Sequence, residues 1–475
     1  MSIRGLTVGL TGRLEGLTRS EFKALLTRHG ATYSARIDDD VDLVIAGEGA
    51  LTSKVSAARS HSAEVLSLQA LNARLEAPIA PANALLEAVR PPTLQLTGSE
   101  RAPPAIQRLQ SSLRVLDVAI PLVKPGPMTP SKTLFSHYCL DARTLQMMRF
   151  VTRAVQLSHP CLLEGDTATS KTSVIQYLAA LSGHQVVRLN LNGQSDTSEL
   201  VGRYVPTDRE TGPAWRFQEG LVPQAMRHGW WVILDEVNLA EPAVLERLNS
   251  VLERSPTLVL TEGTGTQFGP GADVAVHPNF RIFATMNPAE YQGRSVLSPA
   301  YKDRWIATFH ATSPDELHYR QMLERLVYGR QPDVLVGGMA YAGSVDDAPS
   351  HSTIRDVSGA DELLSRLAAL HAGLVSMSTA ADGRSASLGA SRRERYVFSR
   401  RALLGVLDAL HLGALCDPHT GQEHTFADAP SAVAVDSIYR IYVDRMRDPE
   451  DRARVLKLLE TLGLRRETWT LDLGN

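Results

Sequence analysis

Five short apolar runs in the middle of the sequence limit its fold more than any other feature. Dense apolar runs of this length are typical of strands that are buried on both faces, and segments with helical periodicity separate them. Strands joined by helices form a parallel sheet that is covered on two sides. We therefore predict an α/β core whose strands are residues 161–163, 186–191, 230–234, 281–285 and 306–309.

After Pro314 the sequence has helical periodicity alone, which predicts a C-terminal part made only of helices. Stretches at residues 337–343 and 379–391 have the composition of loops. The predicted helices are residues 317–327, 360–376, 399–412, 435–446 and 451–462.

Before the core, residues 3 to about 75 alternate short apolar runs with helical patterns and predict a smaller α/β unit. Its predicted strands are residues 7–10, 31–34, 42–46 and 64–67, and its helices are residues 18–29, 53–60 and 68–75. Prolines then cluster and predict an extended linker, in which residues 109–116 could form a short helix. The expected regions are a small α/β domain at 1–77, a linker at 78–132, a large α/β subdomain at 133–312 and an all-helical lid at 313–475.

Composition and charge exclude several classes of protein. The chain has 475 residues, 43% of them hydrophobic and 21% charged, which suits a folded protein of two or three domains. A net charge of −3 gives no overall electrostatic case for nucleic-acid binding, although a local basic patch stays open. Cys139, Cys161 and Cys416 lie too far apart for a disulfide framework or a zinc site. Without a signal-type segment or a run of about 18 apolar residues, we expect a protein of the cytoplasm that does not enter a membrane.

A segment rich in hydroxyl groups, residues 165–172, lies between the first predicted strand of the core and a helix. In such a turn the backbone N–H groups and the helix N-terminus bind a polyphosphate. Lys171 would reach the β- and γ-phosphates of ATP, and the Thr172 hydroxyl would hold Mg²⁺. The predicted binding residues are Gly165, Asp166, Thr167, Ala168, Thr169, Ser170, Lys171 and Thr172. The alternative is a serine- and threonine-rich turn that caps a helix.

Ser170 occupies the position where this kind of loop usually has its second glycine. Because serine is small, we expect that the loop can close provided that φ at Ser170 is negative. Nucleotide affinity could still be reduced, which would favour a nucleotide-gated switch over a motor.

Two carboxylates, Asp235 and Glu236, end a buried strand roughly 70 residues after Lys171. Adjacent acids normally lie on a solvated surface. At the C-terminal end of a strand, however, they lie where α/β sheets bind ligands. Asp235 would orient Mg²⁺ through water, and Glu236 would act as the base for the attacking water.

Three polar residues further along fit the same site. Asn287 follows the next strand and would position the water, although an Asn-Pro pair is also ordinary turn chemistry. Arg304 precedes the last strand, where it is either a surface cation or an arginine supplied in trans to stabilise the transferring phosphoryl group. Arg401 lies on the first turn of a helix that Ser399 caps, and it would face a phosphate.

In this order, the elements resemble the AAA+ superfamily of ATPases, specifically its MoxR- and midasin-like (dynein-related) branch. The resemblance runs from about residue 135 to the end of the sequence. The stretches that carry it are residues 163–165 (LEG), 196–206 (DTSELVGRYVP), 217–222 (FQEGLV), 235–240 (DEVNLA) and 279–288 (NFRIFATMNP).

This resemblance implies a role for each candidate residue and a ring, commonly a hexamer, in which Arg304 completes a neighbour's site. The implied roles are Walker A for Lys171 and Thr172, Walker B for Asp235 and Glu236, sensor 1 for Asn287, arginine finger for Arg304, and sensor 2 for Arg401 with Arg400 as the alternative. The family often acts with a separate partner that carries a von Willebrand factor A-type metal site. Residues 194–221 resemble the family's insertion in helix 2, whose aromatic residues either face the substrate or pack within the insertion.

The N-terminal unit resembles a BRCT domain at residues 10–12 (LTG), 28–31 (RHGA) and 41–46 (VDLVIA). By that resemblance Thr11, the Gly12 amide and Lys54 would form a phosphate pocket. A hydroxyl, an N–H group and an ammonium group are suitable ligands for phosphoryl oxygens. The aromatic residue usual in the last helix is absent, so phosphate recognition and plain protein docking both stay open, as does a phosphorylated DNA end.

Three functions fit these predictions. The leading hypothesis is a ring-forming ATPase that remodels a protein or protein–nucleic acid complex, with the BRCT-like domain choosing a client that is phosphorylated or associated with DNA. The second is an ATPase of DNA repair or of defence against phage that recognises DNA ends. The third is a nucleotide-gated scaffold with little ATP turnover. This hypothesis is based on Ser170, which replaces the usual second glycine of the phosphate loop.

Overall fold

The chain folds as two units, Met1–Thr97 with Gly337–Met339, and Gly98–Val336 with Ala340–Asn475. The computed structural model describes residues 5–12, 22–23, 26–27, 30–34, 37–38, 40–46, 52–61, 63–67, 71, 102–206, 215–288, 296–345, 349–378, 388–389, 396–416, 419 and 421–464.

The first unit contains a four-stranded sheet in the order β2-β1-β3-β4, and all of its strands run parallel. Val8, Leu10 and Ile45 lie in its core together with Phe22 and Leu26. The predicted strands and the helix at residues 53–60 are confirmed, while most of the predicted helices at 18–29 and 68–75 lies outside the described residues. The elements are β1 (Thr7–Thr11), β2 (Thr32–Ser34), β3 (Leu43–Ala46), α1 (Thr52–Ser60) and β4 (Glu64–Leu66).

The second unit begins with a three-stranded antiparallel sheet, β5 (Ile106–Arg108), β6 (Ser112–Val115) and β7 (Val118–Pro121). The helix predicted for residues 109–116 is therefore wrong. Burial alternates along β6, where Leu113 and Val115 point inward, and this period of two belongs to a strand.

This small sheet packs on α2 (Ala142–Leu157). Arg149 on the helix donates to Asp117 with an Nη2–Oδ2 distance of 2.6 Å, and Gln156 donates to the Ala119 carbonyl at 3.1 Å. The stretch predicted as a linker up to residue 132 thus holds folded structure from residue 106 onward.

A five-stranded parallel sheet forms the centre of the second unit, in the order β16-β8-β15-β12-β9. All five predicted core strands are confirmed, and Leu162, Val232 and Ala284 are buried within them. The elements of this part are β8 (Cys161–Gly165), α3 (Lys171–Ser182), β9 (Val186–Asn190), α4 (Thr197–Leu200), β10 (Gly202–Pro206), β11 (Trp215–Glu219), α5 (Leu221–His228), β12 (Trp231–Asp235), α6 (Pro242–Glu246), β13 (Leu258–Val259), β14 (Gln267–Phe268), β15 (Arg281–Met286), α7 (Pro299–Asp303) and β16 (Ala307–Ala311).

The inserted segment between α4 and α5 is an antiparallel hairpin of β10 and β11. Phe217 packs against Tyr204 of the same hairpin with 5.5 Å between ring centroids, and its ring also lies against Gly263, between β13 and β14, where an added Cβ would be 2.3 Å away. Tyr204 and Trp215 are 52% and 58% exposed. Packing within the insertion is thus observed for Phe217, whereas a contact of Tyr204 or Trp215 with a substrate stays a prediction.

The C-terminal part is mainly helical, as predicted, but it is not all-helical. Short strands interrupt the helices, including β18 inside the segment 337–343 that was predicted as a loop. Leu364, Leu407 and Val455 lie in its shared core. The elements are α8 (Glu316–Tyr328), β17 (Val334–Val336), β18 (Met339–Tyr341), α9 (Ser352–Arg355), α10 (Ala360–Ser378), α11 (Arg400–Leu412), β19 (Ala414–Cys416), β20 (Glu423–Thr425), α12 (Pro430–Ile438), a π-helix (Tyr439–Val443) and α13 (Pro449–Thr461).

Burial of His184 makes the second unit sensitive to acid. Its imidazole stacks on Trp231 with 4.5 Å between ring centroids, and burial lowers its pKa to about 4. An unfolded chain binds this proton near pH 6.5. The contribution of His184 to stability is therefore complete above pH 6.5 and falls as the pH drops towards 4, by on the order of 2 kcal/mol at pH 5.

We expect His184→Gln to reduce the difference in unfolding free energy between about pH 7.5 and pH 5, measured by urea titration with tryptophan fluorescence. The matched control is His228→Gln, since His228 also stacks on a tryptophan but is exposed. An unchanged pH difference in His184→Gln would contradict this assignment.

Candidate nucleotide-binding site

The phosphate loop joins β8 to α3 at the carboxyl edge of the central sheet. Gly165 begins it with a φ of +156°, and a Cβ there would lie 2.4 Å from the Ala311 carbonyl oxygen on the neighbouring strand. Only glycine fits this approach. The first residue of the predicted loop is thus fixed by packing against β16.

Lys171 holds the loop closed from inside. Its Nζ donates to the carbonyls of Gly165 at 2.8 Å and Asp166 at 2.7 Å, and it contacts the Thr169 hydroxyl at 3.3 Å. It also donates to Asn287 Oδ1 at 2.9 Å. Lys171 as a whole is 8% exposed, so these acceptors replace the water that a buried cation would otherwise need.

Asp235 is the centre of a second group of contacts. Its Oδ1 accepts from the Thr172 hydroxyl at 2.9 Å and from the Thr285 hydroxyl. Its Oδ2 accepts from Arg188, with an Nε–Oδ2 distance of 2.8 Å and a second bond from Nη2. The sequence assigns a role to neither Thr285 nor Arg188, although Thr285 lies within the stretch 279–288 that carries the resemblance, because both contacts with Asp235 depend on sheet register.

Thr172 and Asp235 suit Mg²⁺, because hydroxyl and carboxylate oxygens are the ligands that it prefers. Mg²⁺ usually takes one or two protein oxygens and completes its shell with phosphates and water. A dedicated cage is therefore not required, and the described residues contain no group of three His, Cys, Asp or Glu side chains able to hold a metal.

Glu236 and Asn287 are bound to each other. Asn287 donates from Nδ2 to Glu236 Oε1 at 2.6 Å, and it accepts from Lys171 on its other side. Asn238 donates to the Asn287 carbonyl at 2.8 Å and fixes its backbone. Asn238 lies in the segment after the two acids, but its role could not be seen without the fold.

Ser170 adopts a φ of +66°, so the loop closes without the negative φ that its closure was expected to require. Ala168 is also left-handed, with a φ of +62°. A side chain in this region costs about 1–2 kcal/mol per residue. The Ser170 hydroxyl accepts a hydrogen bond from Arg400 Nη1 at 2.6 Å, so the residue that replaces glycine joins the loop to α11 of the lid.

One cavity brings most of the predicted residues together. Arg401 reaches this cavity, whereas Arg304 does not and instead forms an ion pair with Glu253. The lining residues are Thr167, Ala168, Thr169, Ser170, Lys171, Thr172, Ser173, Gln176, Arg188, Asp235, Glu236, Thr285, Asn287, Val397, Ser399 and Arg401.

A second cavity lies between the loop and the lid. Thr167 and Ala168 line one side of it, and Tyr319, Phe398 and Arg400 line the other. Aromatic rings beside a phosphate loop are suited to a planar, apolar group.

In the first unit, Thr11 ends β1 and is buried, and Gly12 follows with a φ of +86°. Lys54 is exposed on α1. The phosphate pocket that these three residues would form stays a prediction.

Comparison with known families agrees with both resemblances. Residues 160–305 match the AAA domain of the dynein-related subfamily, and residues 3–74 match the BRCA1 C Terminus (BRCT) domain. The chain therefore combines a midasin-like AAA+ domain of the dynein-related subfamily with an N-terminal BRCT domain. None of the described helices is long and apolar enough to cross a membrane.

Similar proteins share the AAA+ part. Midasin of Dictyostelium discoideum is 38% identical over 173 residues, which is 36% of this chain and 3% of that protein. Midasin of Giardia intestinalis is 37% identical over 189 residues, 39% of this chain and 4% of that protein. The aerobic cobaltochelatase subunit CobS of Sinorhizobium sp is 28% identical over 151 residues, 30% of this chain and 43% of that protein. The chain thus spans less than half of each of these relatives.

The strain at Ser170 can be measured by comparing two substitutions. Ser170→Ala removes the hydrogen bond to Arg400 but keeps a side chain at positive φ. Ser170→Gly removes the hydrogen bond and the side chain together. We expect Ser170→Gly to be more stable than Ser170→Ala by about 1 kcal/mol in chemical unfolding.

Ser173, in the first turn of α3, supplies the matched control. There the order should reverse, because glycine in a helix is about 1 kcal/mol less stable than alanine. An alanine variant more stable than the glycine variant at both positions would contradict the strained conformation.

Proposed function

We propose that the second unit binds ATP with Mg²⁺ at the phosphate loop and hydrolyses it. The observation that carries this proposal is the hydrogen-bonded path from Lys171 through Asn287 to Glu236. It joins a cation suited to the γ-phosphate to a carboxylate suited to act as a base. The neighbouring contact of Thr172 with Asp235 supplies the metal ligands.

Each residue then has a defined task. The loop N–H groups and Lys171 bind the phosphates, and the aromatic cavity takes the adenine. Bound Mg²⁺ neutralises developing charge on the phosphates. As the attacking water bonds to the γ-phosphorus, the bond from that phosphorus to the β–γ bridging oxygen breaks and ADP leaves. Glu236 accepts the proton of this water, and Asn287 holds the Glu236 carboxylate in position. Arg401 extends from the lid towards the phosphates.

Arg304 is proposed to act on the site of a neighbouring subunit. It is absent from the lining of its own chain's cavity, and its ion pair with Glu253 is partly exposed, with side chains 35% and 57% accessible. A pair in this environment contributes little to stability, so it can be exchanged for a phosphate. This role supports a ring, and a hexamer is our proposal for its size.

We further propose that the ring remodels a protein or protein–nucleic acid complex in the cytoplasm and that the BRCT domain selects the client. The exposed Tyr204 and Trp215 on the inserted hairpin are suited to contact it. A partner with a von Willebrand factor A-type site and recognition of DNA ends stay predictions.

A nucleotide-gated scaffold with little turnover is the second candidate. The observation that favours it is the loop itself, which is strained at Ala168 and Ser170 and tied to the lid by Arg400. Steady-state phosphate release by the unmodified chain separates the two functions, since a scaffold would bind ATP without sustained turnover.

Glu236→Gln should lower ATP turnover by about 100-fold or more, because the amide cannot accept the proton. Binding of ATP and assembly should remain. Phosphate release, equilibrium nucleotide binding and sedimentation measure these three properties. Glu241→Gln, an exposed acid five positions further along, is the control and should keep normal turnover. Full ATP turnover in Glu236→Gln would rule out Glu236 as the general base.

The trans role of Arg304 predicts complementation between two inactive variants. Arg304→Ala lacks the finger and Glu236→Gln lacks the base. In a mixed ring, however, an intact Glu236 meets an intact Arg304 at some interfaces. Mixing should restore turnover to a substantial fraction of wild type, measured as phosphate release. A mixture of Glu236→Gln with the double variant is the control, and a lack of restoration in the first mixture would mean that Arg304 does not act in trans.

A further inference from the structure

Arg188 is a cation of the site that the roles above leave unassigned. It lies on β9, the edge strand of the central sheet, and pairs in register with Ile233 of β12. Residues two positions apart on a strand share a face, so its side chain lies on the same side as Asp235. The two residues meet at the carboxyl edge, beside the phosphate loop.

The burial of the two partners is unequal. Asp235 is 5% exposed, while the Arg188 side chain is 49% exposed and lines the same cavity as Lys171 and Arg401. An ion pair that is open to water adds little to stability. A half-exposed arginine is therefore a poor choice if its only role is to neutralise the charge of Asp235.

The hydrogen bonds of Arg188 leave one edge of its guanidinium available. Within the described part of the chain, its contacts all go to Asp235 Oδ2 and use Nε and Nη2. A guanidinium carries five N–H donors in a planar fork, so one edge can hold a carboxylate while Nη1 binds another anion. The planar fork matches the oxygens of a phosphate.

The charges of the site give a reason for a second cation. The terminal phosphate of ATP would enter beside Asp235 and Glu236, which are both acidic. Lys171 already donates to two loop carbonyls and to Asn287. An additional donor near Asp235 would offset the repulsion between the carboxylates and the terminal phosphate.

We infer that Arg188 is a nucleotide-contacting residue of the same subunit, which donates from Nη1 to the terminal phosphate of ATP while Nε and Nη2 hold Asp235. Arg188 thereby favours the triphosphate over the diphosphate. This inference rests on the proposed binding of ATP at the phosphate loop and adds the residue that reads the terminal phosphate.

The test compares ATP and ADP binding by the full-length chain, with Glu236→Gln in every variant so that ATP is not consumed. Arg188→Gln should weaken ATP binding about 10- to 100-fold and ADP binding less than about 3-fold, measured by calorimetry with saturating Mg²⁺. Arg188→Lys keeps the charge but lacks the fork, and its loss of ATP affinity should be intermediate.

Arg149→Gln is the matched control. Arg149 forms a similar two-bond pair with Asp117 and has a similar exposure of 46%, but it lies on α2 against the small antiparallel sheet. The Arg149→Gln substitution should change neither the ATP affinity nor the ADP affinity. Thermal unfolding of each variant shows whether it is folded. If Arg188→Gln is not folded, the nucleotide affinities of Arg188→Lys decide the test.

Two outcomes overturn the inference alone. One is an equal loss of affinity for ATP and ADP. The other is a loss that appears at sub-saturating Mg²⁺ and is absent at saturating Mg²⁺, which would mean that Arg188 acts only by positioning Asp235. If the chain without the Arg188 substitution binds neither nucleotide, the proposed function fails as well, and the two failures are thereby distinguished.

Discussion

The buried ammonium group of Lys171 is the interaction on which the rest of the site depends. It draws the Gly165 and Asp166 carbonyls inward and reaches across to Asn287 on another strand. A cation this deep requires acceptors on every side, and the parallel sheet supplies them because its strands end at one edge. The Glu236 carboxylate, proposed as the base, is then held by Asn287.

The core of the fold and the centre of the site were both predictable, for the same physical reason. Strands buried on both faces have dense apolar sequences, and the polar residues that end them, Asp235 and Asn287 among them, meet at one edge whatever the loops do. Arg188 and Thr285 were missed because their roles come from sheet register, which apolar runs alone do not define.

The structure also differs from the sequence-based predictions in segments whose local composition is ambiguous. The prolines around residues 106–121 suggested a linker, yet the alternation of Leu113 and Val115 was enough for a strand that packs on α2. At Ser170 the difference was conformational, because residue size says nothing about the sign of φ. In the first unit, the pocket of Thr11, Gly12 and Lys54 could be named only by resemblance, since its ligand depends on side-chain geometry that sequence does not encode.

The hydrogen bond between Ser170 and Arg400 has a consequence for the kinetics of nucleotide exchange. A glycine at position 170 would leave the lid helix without this anchor on the loop. With serine, on the proposed binding of ATP, the departure or arrival of nucleotide would be coupled to the making or breaking of a bond that joins the loop to the lid. On that proposal the lid would contribute to how long a nucleotide resides in the site, and residence time, more than equilibrium affinity, would set how long each subunit stays in one nucleotide state.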